Sequence, residues 1–387
     1  MQLLIVSHTP HYRREGRVVG WGPTVREIDA LAELFEAVVH VAPVHEEPAP
    51  GSALAYRSPR VLVRAVPPSG GERWRDKLEI LARTPGYAWA IARELGRADV
   101  AHVRCPANIS LVALAVLALA GRPRLRWIKY AGTWKPERTD AWSHRLQRWW
   151  LARGRQREVV TINGDWPGQP AHVHSFLNPC LSEGELAAAR EAARGKEIGS
   201  PLRLVFVGRL EAAKGAREAL EVLSGLRRRG VTATLDLVGE GPERRSLEEL
   251  VTRGRLAGQV GFHGCLSRPE MDPIYARAHL QVFPSRSEGW PKVLSEGMAY
   301  GVVPIAGAVG SIPGQLRQLG IGRSHDPLDT EAFVDSVAWY GEHPEAWREE
   351  SARGVLAADR FTYSRYLKAV RRLLACGAAG AGAACET

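Results

Sequence analysis

The sequence predicts an α/β protein of two Rossmann-like domains in tandem. Three observations do so. The chain has 387 residues, too many for one ordinary core when a domain holds about 100–200. Short β-rich runs alternate with helical ones through both halves, and a polar, turn-rich seam separates the two series. Parallel strands need a crossover, usually helical, to return to the same edge, so this alternation implies parallel sheets covered on both faces.

In the first half the periodicity predicts strands at 3–7, 38–41, 62–65, 100–103, 127–130 and 159–162, with helices at 25–35, 77–95, 109–120 and 143–153. The run 111–120 is the most apolar, but it has only about half the length needed to cross a bilayer and reads as a buried helix. A helical linker at 181–196 and a Gly-Ser-Pro turn at 199–201 lead into the second series. Its strands are expected at 204–207, 235–238, 260–262, 280–283 and 302–305, its helices near 216–229, 244–253, 271–278 and 293–300. The segment 377–387 is low in complexity and is expected to be a disordered tail.

Composition narrows the function classes. Hydrophobic residues make up 45 % and charged residues 24 %, the mixture of a globular protein. The N-terminus is apolar for about five residues before turning basic, too short for the apolar region of a signal peptide. A cytoplasmic protein, with no export and no spanning segment, is therefore expected. Cys105, Cys180, Cys265, Cys376 and Cys385 lack CxxC spacing and partnering histidines, which argues against a zinc site and a disulfide framework. The formal charge of +10 suits nucleic acid, an anionic membrane surface or a phosphorylated substrate, and charge alone does not choose among them.

Ligands of open α/β sheets bind beyond the carboxyl ends of the strands, where loops lead into helix N-termini rich in free N–H groups. Three loops of the second half carry informative residues at such places. Loop 208–215 holds Gly208, Arg209 and Lys214, and its two cations, five positions apart, can jointly face a diphosphate; surface charge is the plainer reading. Gly239-Glu240-Gly241-Pro242 offers a tight turn and close backbone approach. The third segment reads Glu288-Gly289-Trp290-Pro291, with Glu296 following in the next helix. Pro291 suits a first helical turn. A pair of glutamates at this spacing, taken alone, is more often a solvated helix face.

The last two segments resemble the family 4 (group 1) retaining glycosyltransferases, whose Glu-x7-Glu signature appears as Glu288…Glu296 with Gly289-Trp290-Pro291 after the first Glu. Arg209…Lys214 and Gly239-Glu240-Gly241-Pro242 resemble other landmarks of that family, in order, over 202 to about 310. The resemblance implies a GT-B fold, two Rossmann-like domains facing across a cleft. The N-terminal domain would be 1–177, joined by a C-terminal helix at about 361–376, and the nucleotide-sugar domain 178–360. Arg209 and Lys214 would hold the donor diphosphate, Glu288 would contact the transferred sugar beside the amides of Gly289 and Trp290, and Glu296 would accept from ribose hydroxyls. The turn at Gly264, Cys265 and Leu266 would line the base pocket. A UDP- or GDP-sugar as co-substrate, no metal or other cofactor, and a glycan or lipid-linked acceptor are implied, as in bacterial surface polysaccharide or lipopolysaccharide synthesis.

The first half matches less closely. Segment 16–24, with Gly20 and Gly22, occupies the position of the family's Gly-rich loop without a Gly-Gly pair. Many members place a histidine after the strand corresponding to 127–130; here Gly132 and Thr133 stand there. Either they serve the same place, or His102 substitutes, although a core histidine is the commoner case; His8 and His11 read the same way. Arg104 and Lys129 read as surface charges or as an anion site. Segment 142–157 puts Trp142, Leu146, Trp149 and Trp150 on one helical face among arginines. A core-packed helix with a basic outer side is the simpler reading; a helix on an anionic membrane, at the inner face of the cell membrane, is the alternative. Nucleic-acid binding is the chief rival class, but the basic residues are spread and no recognition signature is present, so no nucleic-acid partner is expected. Another GT-B enzyme, an epimerase or inverting transferase, is the nearer rival.

Overall fold

The computed structural model describes residues 1–70, 74–135, 141–154, 158–166 and 168–379. Two compact units divide the chain: Met1–Phe176 together with the chain from Tyr366 onward, and Leu177–Arg365.

In the first unit the central strand Gln2–Val6 pairs in parallel with Ala37–His45 on one side and Val100–Cys105 on the other. Leu125–Tyr130, Val159–Ile162 and Val173–Ser175 extend the second side, and Val61–Val66 extends the first. The order reverses beside the first strand, as in doubly wound sheets. Leu4, Val41, Val103 and Ile128 pack against Ile91 and Leu114 from the covering helices.

Segment 16–24 is not an open loop. Glu15 (φ 51°) and Gly16 (φ 75°) make a two-residue turn between antiparallel strands His11–Arg14 and Arg17–Trp21. Two consecutive positive φ values give the turn whose twist matches the strands it joins. Helix Gly22–Leu31 begins directly after, with Pro23 in its first turn. The apolar run lies in helix Asn108–Leu119, which buries Ile109, Ala113, Leu114 and Leu117 but leaves Leu119 92 % exposed; it is buried on one face only. Among the described residues no helix is long and apolar enough to cross a membrane.

The second unit opens with helix Glu183–Ala193, capped reciprocally by Ser182 and Glu185. Its six parallel strands run in the order Val260–Phe262, Ala233–Val238, Leu202–Val207, Leu280–Phe283, Val303–Gly307, Arg323–His325. Leu204, Phe206, Val282 and Ile305 meet Leu220, Leu223, Leu294 and Met298 in its core, each buried side chain contributing roughly 1.5–3 kcal/mol. The last helix, Tyr363–Ala379, takes in the first residues of the expected tail; the remainder of 377–387 lies outside the described residues.

Candidate functional site

The strand order of the second unit reverses between Leu202–Val207 and Leu280–Phe283, which pair in parallel. Loops leaving such a pair diverge to opposite faces and open a crevice. Arg209 and Lys214 lie on one of these loops and Glu288 on the other. Lys214 Nζ donates to Glu288 Oε1 at 2.5 Å, and Ser285 Oγ lies 3.0 Å from the same oxygen. The backbones join as well, Arg286 N donating to Ala213 O at 2.9 Å. A cation and an acid 74 positions apart thus meet at the switch point. Arg209 stays in solvent, 70 % exposed, with Nε donating to Glu211 Oε2 at 3.0 Å.

Neighbouring loops are stitched to these. Gly208 N donates to Val238 O at 3.0 Å, Gly239 N to Gly264 O at 2.8 Å and Leu210 N to Glu240 O at 3.0 Å. Gly239 has φ 136°, and a Cβ there would stand 1.9 Å from Gly208 O; one at Gly241 would stand 2.4 Å from Leu210 O. Only glycine permits this loop-on-loop approach. Cys265, exposed and unpaired with another cysteine, and Leu266, half-buried, follow Gly264 at the edge of this group.

Trp290 is only 4 % exposed. Its Nε1 donates to Ser295 Oγ at 2.7 Å and its ring lies nearly parallel to Phe361, so the indole belongs to the core and the backbone alone can serve a ligand. Pro291 (ψ 128°) is the N-cap of helix Lys292–Ala299 and not a member of its first turn. Gly289 O accepts from Ser311 N and Oγ. Glu296 faces Arg268, whose Nη1 is 3.2 Å from Glu296 Oε2. Arg268 also approaches Glu185 at 3.8 Å and Asp272 at 3.9 Å. Burial opposes its charge, but Glu296, Tyr275 and Glu185 hold its pKa above the ordinary arginine value. Sequence reading passed over Arg268; the signal was the capping box Ser267…Glu270, which places residue 268 at the first helical position after the 264–266 turn.

In the first unit several expectations change. His102 is fully buried, stacked on Trp127 at 3.8 Å with Nδ1 donating to Trp127 O at 3.1 Å. Desolvation holds it neutral; it is a core histidine and does not stand in for the missing one. Lys129 and Arg104 are not surface charges: Glu27 receives Lys129 Nζ at 2.7 Å and Arg104 Nη1 at 2.9 Å, and Tyr366 OH donates to it at 3.0 Å. Gly20 makes room for the His11 ring, 2.6 Å from a Cβ at that position, and a Cβ at Gly22 would meet Ser52 O at 2.9 Å. Both glycines are accounted for by packing. Gly132 and Thr133 sit half-buried beyond Leu125–Tyr130, with Thr133 O accepting from Arg148 Nη1 at 3.0 Å.

One feature went unseen in the sequence. His11 Nδ1 donates to Thr9 O at 2.9 Å, so its Nε2, 2.9 Å from Tyr56 OH, must accept. Tyr56 then accepts from His40 Nδ1 at 2.9 Å, His40 Nε2 accepts from Ser7 Oγ at 2.7 Å, and Ser7 Oγ accepts from Thr9 N at 3.1 Å. The circuit begins and ends on Thr9 and requires both imidazoles neutral. Desolvation supplies that, pulling His11 down to about 4 and His40 well below its usual value. The circuit fixes the segment that leaves the central strand.

Known proteins bear on this geometry. Residues 190–353 match the family model described as glycosyl transferases group 1. A glycogen synthase of Mycobacterium tuberculosis is 31 % identical over 43 % of this chain and 41 % of its own length; the chain thus spans about two-fifths of that relative. Sucrose-phosphate synthase of Thermosynechococcus elongatus superposes with a TM-score of 0.73 over 98 % of this chain and 99 % of its own at 18 % identity. Anabaena HepE, solved in complex with UDP and glucose, gives 0.64 over 96 % and 99 % at 15 % identity. At such identities the superpositions establish the fold, which is GT-B.

Proposed function

We propose, from the match of residues 190–353 to the group 1 glycosyl transferase model and the GT-B fold, that the protein moves a hexose from a UDP- or GDP-sugar to an acceptor hydroxyl with retention of anomeric configuration. The observation that carries the reading is the Lys214–Glu288 contact at the switch point, the place where an open α/β sheet binds its ligand. That the Anabaena neighbour was solved with UDP and glucose supports a nucleotide-sugar donor.

In this reading Lys214 and Arg209 stand where charge grows on the diphosphate as the sugar C1–O bond breaks, a preorganised electrostatic role. Arg209, free to swing in from solvent, completes the pair when donor arrives. Glu288, held beside Lys214, hydrogen-bonds sugar hydroxyls. The acceptor oxygen bonds to C1 on the face the diphosphate leaves, and its proton passes to the departing phosphate oxygen. No protein nucleophile, metal or other cofactor is assigned. The acceptor is a glycan or lipid-linked hydroxyl of cell-surface polysaccharide or lipopolysaccharide synthesis.

Thermal-shift screening against UDP, GDP, ADP and their sugars tests the donor, and NMR of the product tests its anomeric configuration. One nucleoside diphosphate is expected to raise the midpoint by several degrees, since ligand at about 100 times Kd adds about 2.7 kcal/mol. Inverted product would assign an inverting transferase, and donor isomerised without acceptor an epimerase. Stabilisation by oligonucleotide alone would end the enzymatic reading.

A further inference from the structure

The outer helical layer of the first unit carries an apolar surface with a basic border. Helix Asn108–Leu119 contains no charged residue. Its outer side shows Ala115, Ala118 and Leu119 exposed, with Val112 and Val116 half-buried. It packs against helix Trp74–Leu95 and helix Trp142–Leu151. The former exposes Leu81 (69 %) and Trp89 (65 %), the latter Trp142 (72 %) and Trp149 (46 %).

The rotation of Trp142–Leu151 has a physical cause. Gln147 bonds both Ala107 N (3.2 Å) and Ala107 O (3.1 Å), and Arg148 donates to Tyr130 OH and Thr133 O, each at 3.0 Å. These polar anchors, with Ser143 and Leu151, form the buried face, so Trp142 and Trp149 are turned outward while Trp150 stays half-buried. The core-packed reading fails for Trp142 and Trp149. Arg153 lies 4.0 Å over the Trp149 ring and Arg93 5.4 Å over Trp89; Arg122, Arg124 and Arg145 are exposed nearby in sequence. Helices Asn108–Leu119 and Trp142–Leu151 contain no acidic residue.

We propose that this face docks on the surface of an anionic bilayer. Tryptophan and leucine enter the headgroup boundary, where amphipathic rings are favoured, and the arginines pair with lipid phosphate while their stems lie on the apolar layer. Charge selects this occupant over a second copy of the chain, because a two-fold contact would set arginines against arginines. The inference goes beyond the proposed reaction and does not depend on it.

Co-sedimentation with phosphatidylcholine vesicles, with and without phosphatidylglycerol, tests it. The full chain is expected to bind the anionic vesicles on the order of tenfold better. Trp142→Ser with Trp149→Ser, Leu119→Ser, and Arg145→Glu with Arg153→Glu each remove that binding, while the melting midpoint stays put because the side chains are exposed. Equal partition onto both vesicle types, or no loss in the variants, overturns the proposal. So does a concentration-dependent dimer that Leu119→Ser abolishes, which would give the face to a second copy. None of these readouts uses a sugar donor, so they stand apart from failure of the transferase reading.

Discussion

Lys214 and Glu288 form the contact on which the proposed reaction rests, and the roles proposed for the site residues are testable by substitution. Lys214→Ala and Arg209→Ala each lower kcat on the order of 100-fold, while Glu296→Ala raises the Kd for the nucleoside diphosphate by about tenfold, the loss of roughly one charge-assisted hydrogen bond. Wild-type rates in the first two would refute the diphosphate assignment. Glycine 239 is dictated by a carbonyl 1.9 Å from where a Cβ would stand and by φ 136°. Gly239→Ala is therefore expected to destabilise by at least about 2 kcal/mol, read as a lowered denaturant midpoint. Tyr56→Phe removes the one hydroxyl that bridges His11 and His40. It leaves a buried imidazole N–H unpaired, at about 1–3 kcal/mol; unchanged stability would show that the circuit is not formed.

Elements carry a different lesson. Helix Trp142–Leu151 has the tryptophans of a core-facing stripe, yet it buries Ser143, Gln147 and Arg148. Periodicity counts apolar residues but is blind to a carbonyl or hydroxyl waiting on the neighbouring strand. Arg148→Leu withdraws the donor from Tyr130 OH and Thr133 O. It is expected to cost about 2 kcal/mol, and tryptophan emission should shift to the blue if the helix then rolls its rings inward. The hairpin His11–Arg14/Arg17–Trp21 escaped notice for a related reason: its strands are rich in charge, and Glu15 takes a positive φ that no side-chain type announced.

At the scale of the whole molecule, acid is the predicted weakness. His11 is pulled down to about 4 in the folded chain against 6.5 when free, and desolvation lowers His40 and His102 as well. The unfolded chain therefore binds protons first as pH drops. Stability is full above about pH 6.5 and declines toward pH 4, by about 3 kcal/mol for His11 alone. Melts from pH 7.5 to 4.5 should fall accordingly, and a flat profile would show that these imidazoles are not held neutral. By itself, the order of residues determined two Rossmann-like series, the loops at the strand ends of the second, and the glycines, cations and glutamates on them, because local periodicity and chain direction settle which residues end a parallel strand. Only the tertiary structure decided that Lys214 meets Glu288, that Glu296 faces Arg268, that Trp290 and His102 turn inward, and that Trp142 and Trp149 turn out. Those outcomes depend on which strands become neighbours and which buried donors and acceptors must be satisfied, and such demands come from residues far away in the chain.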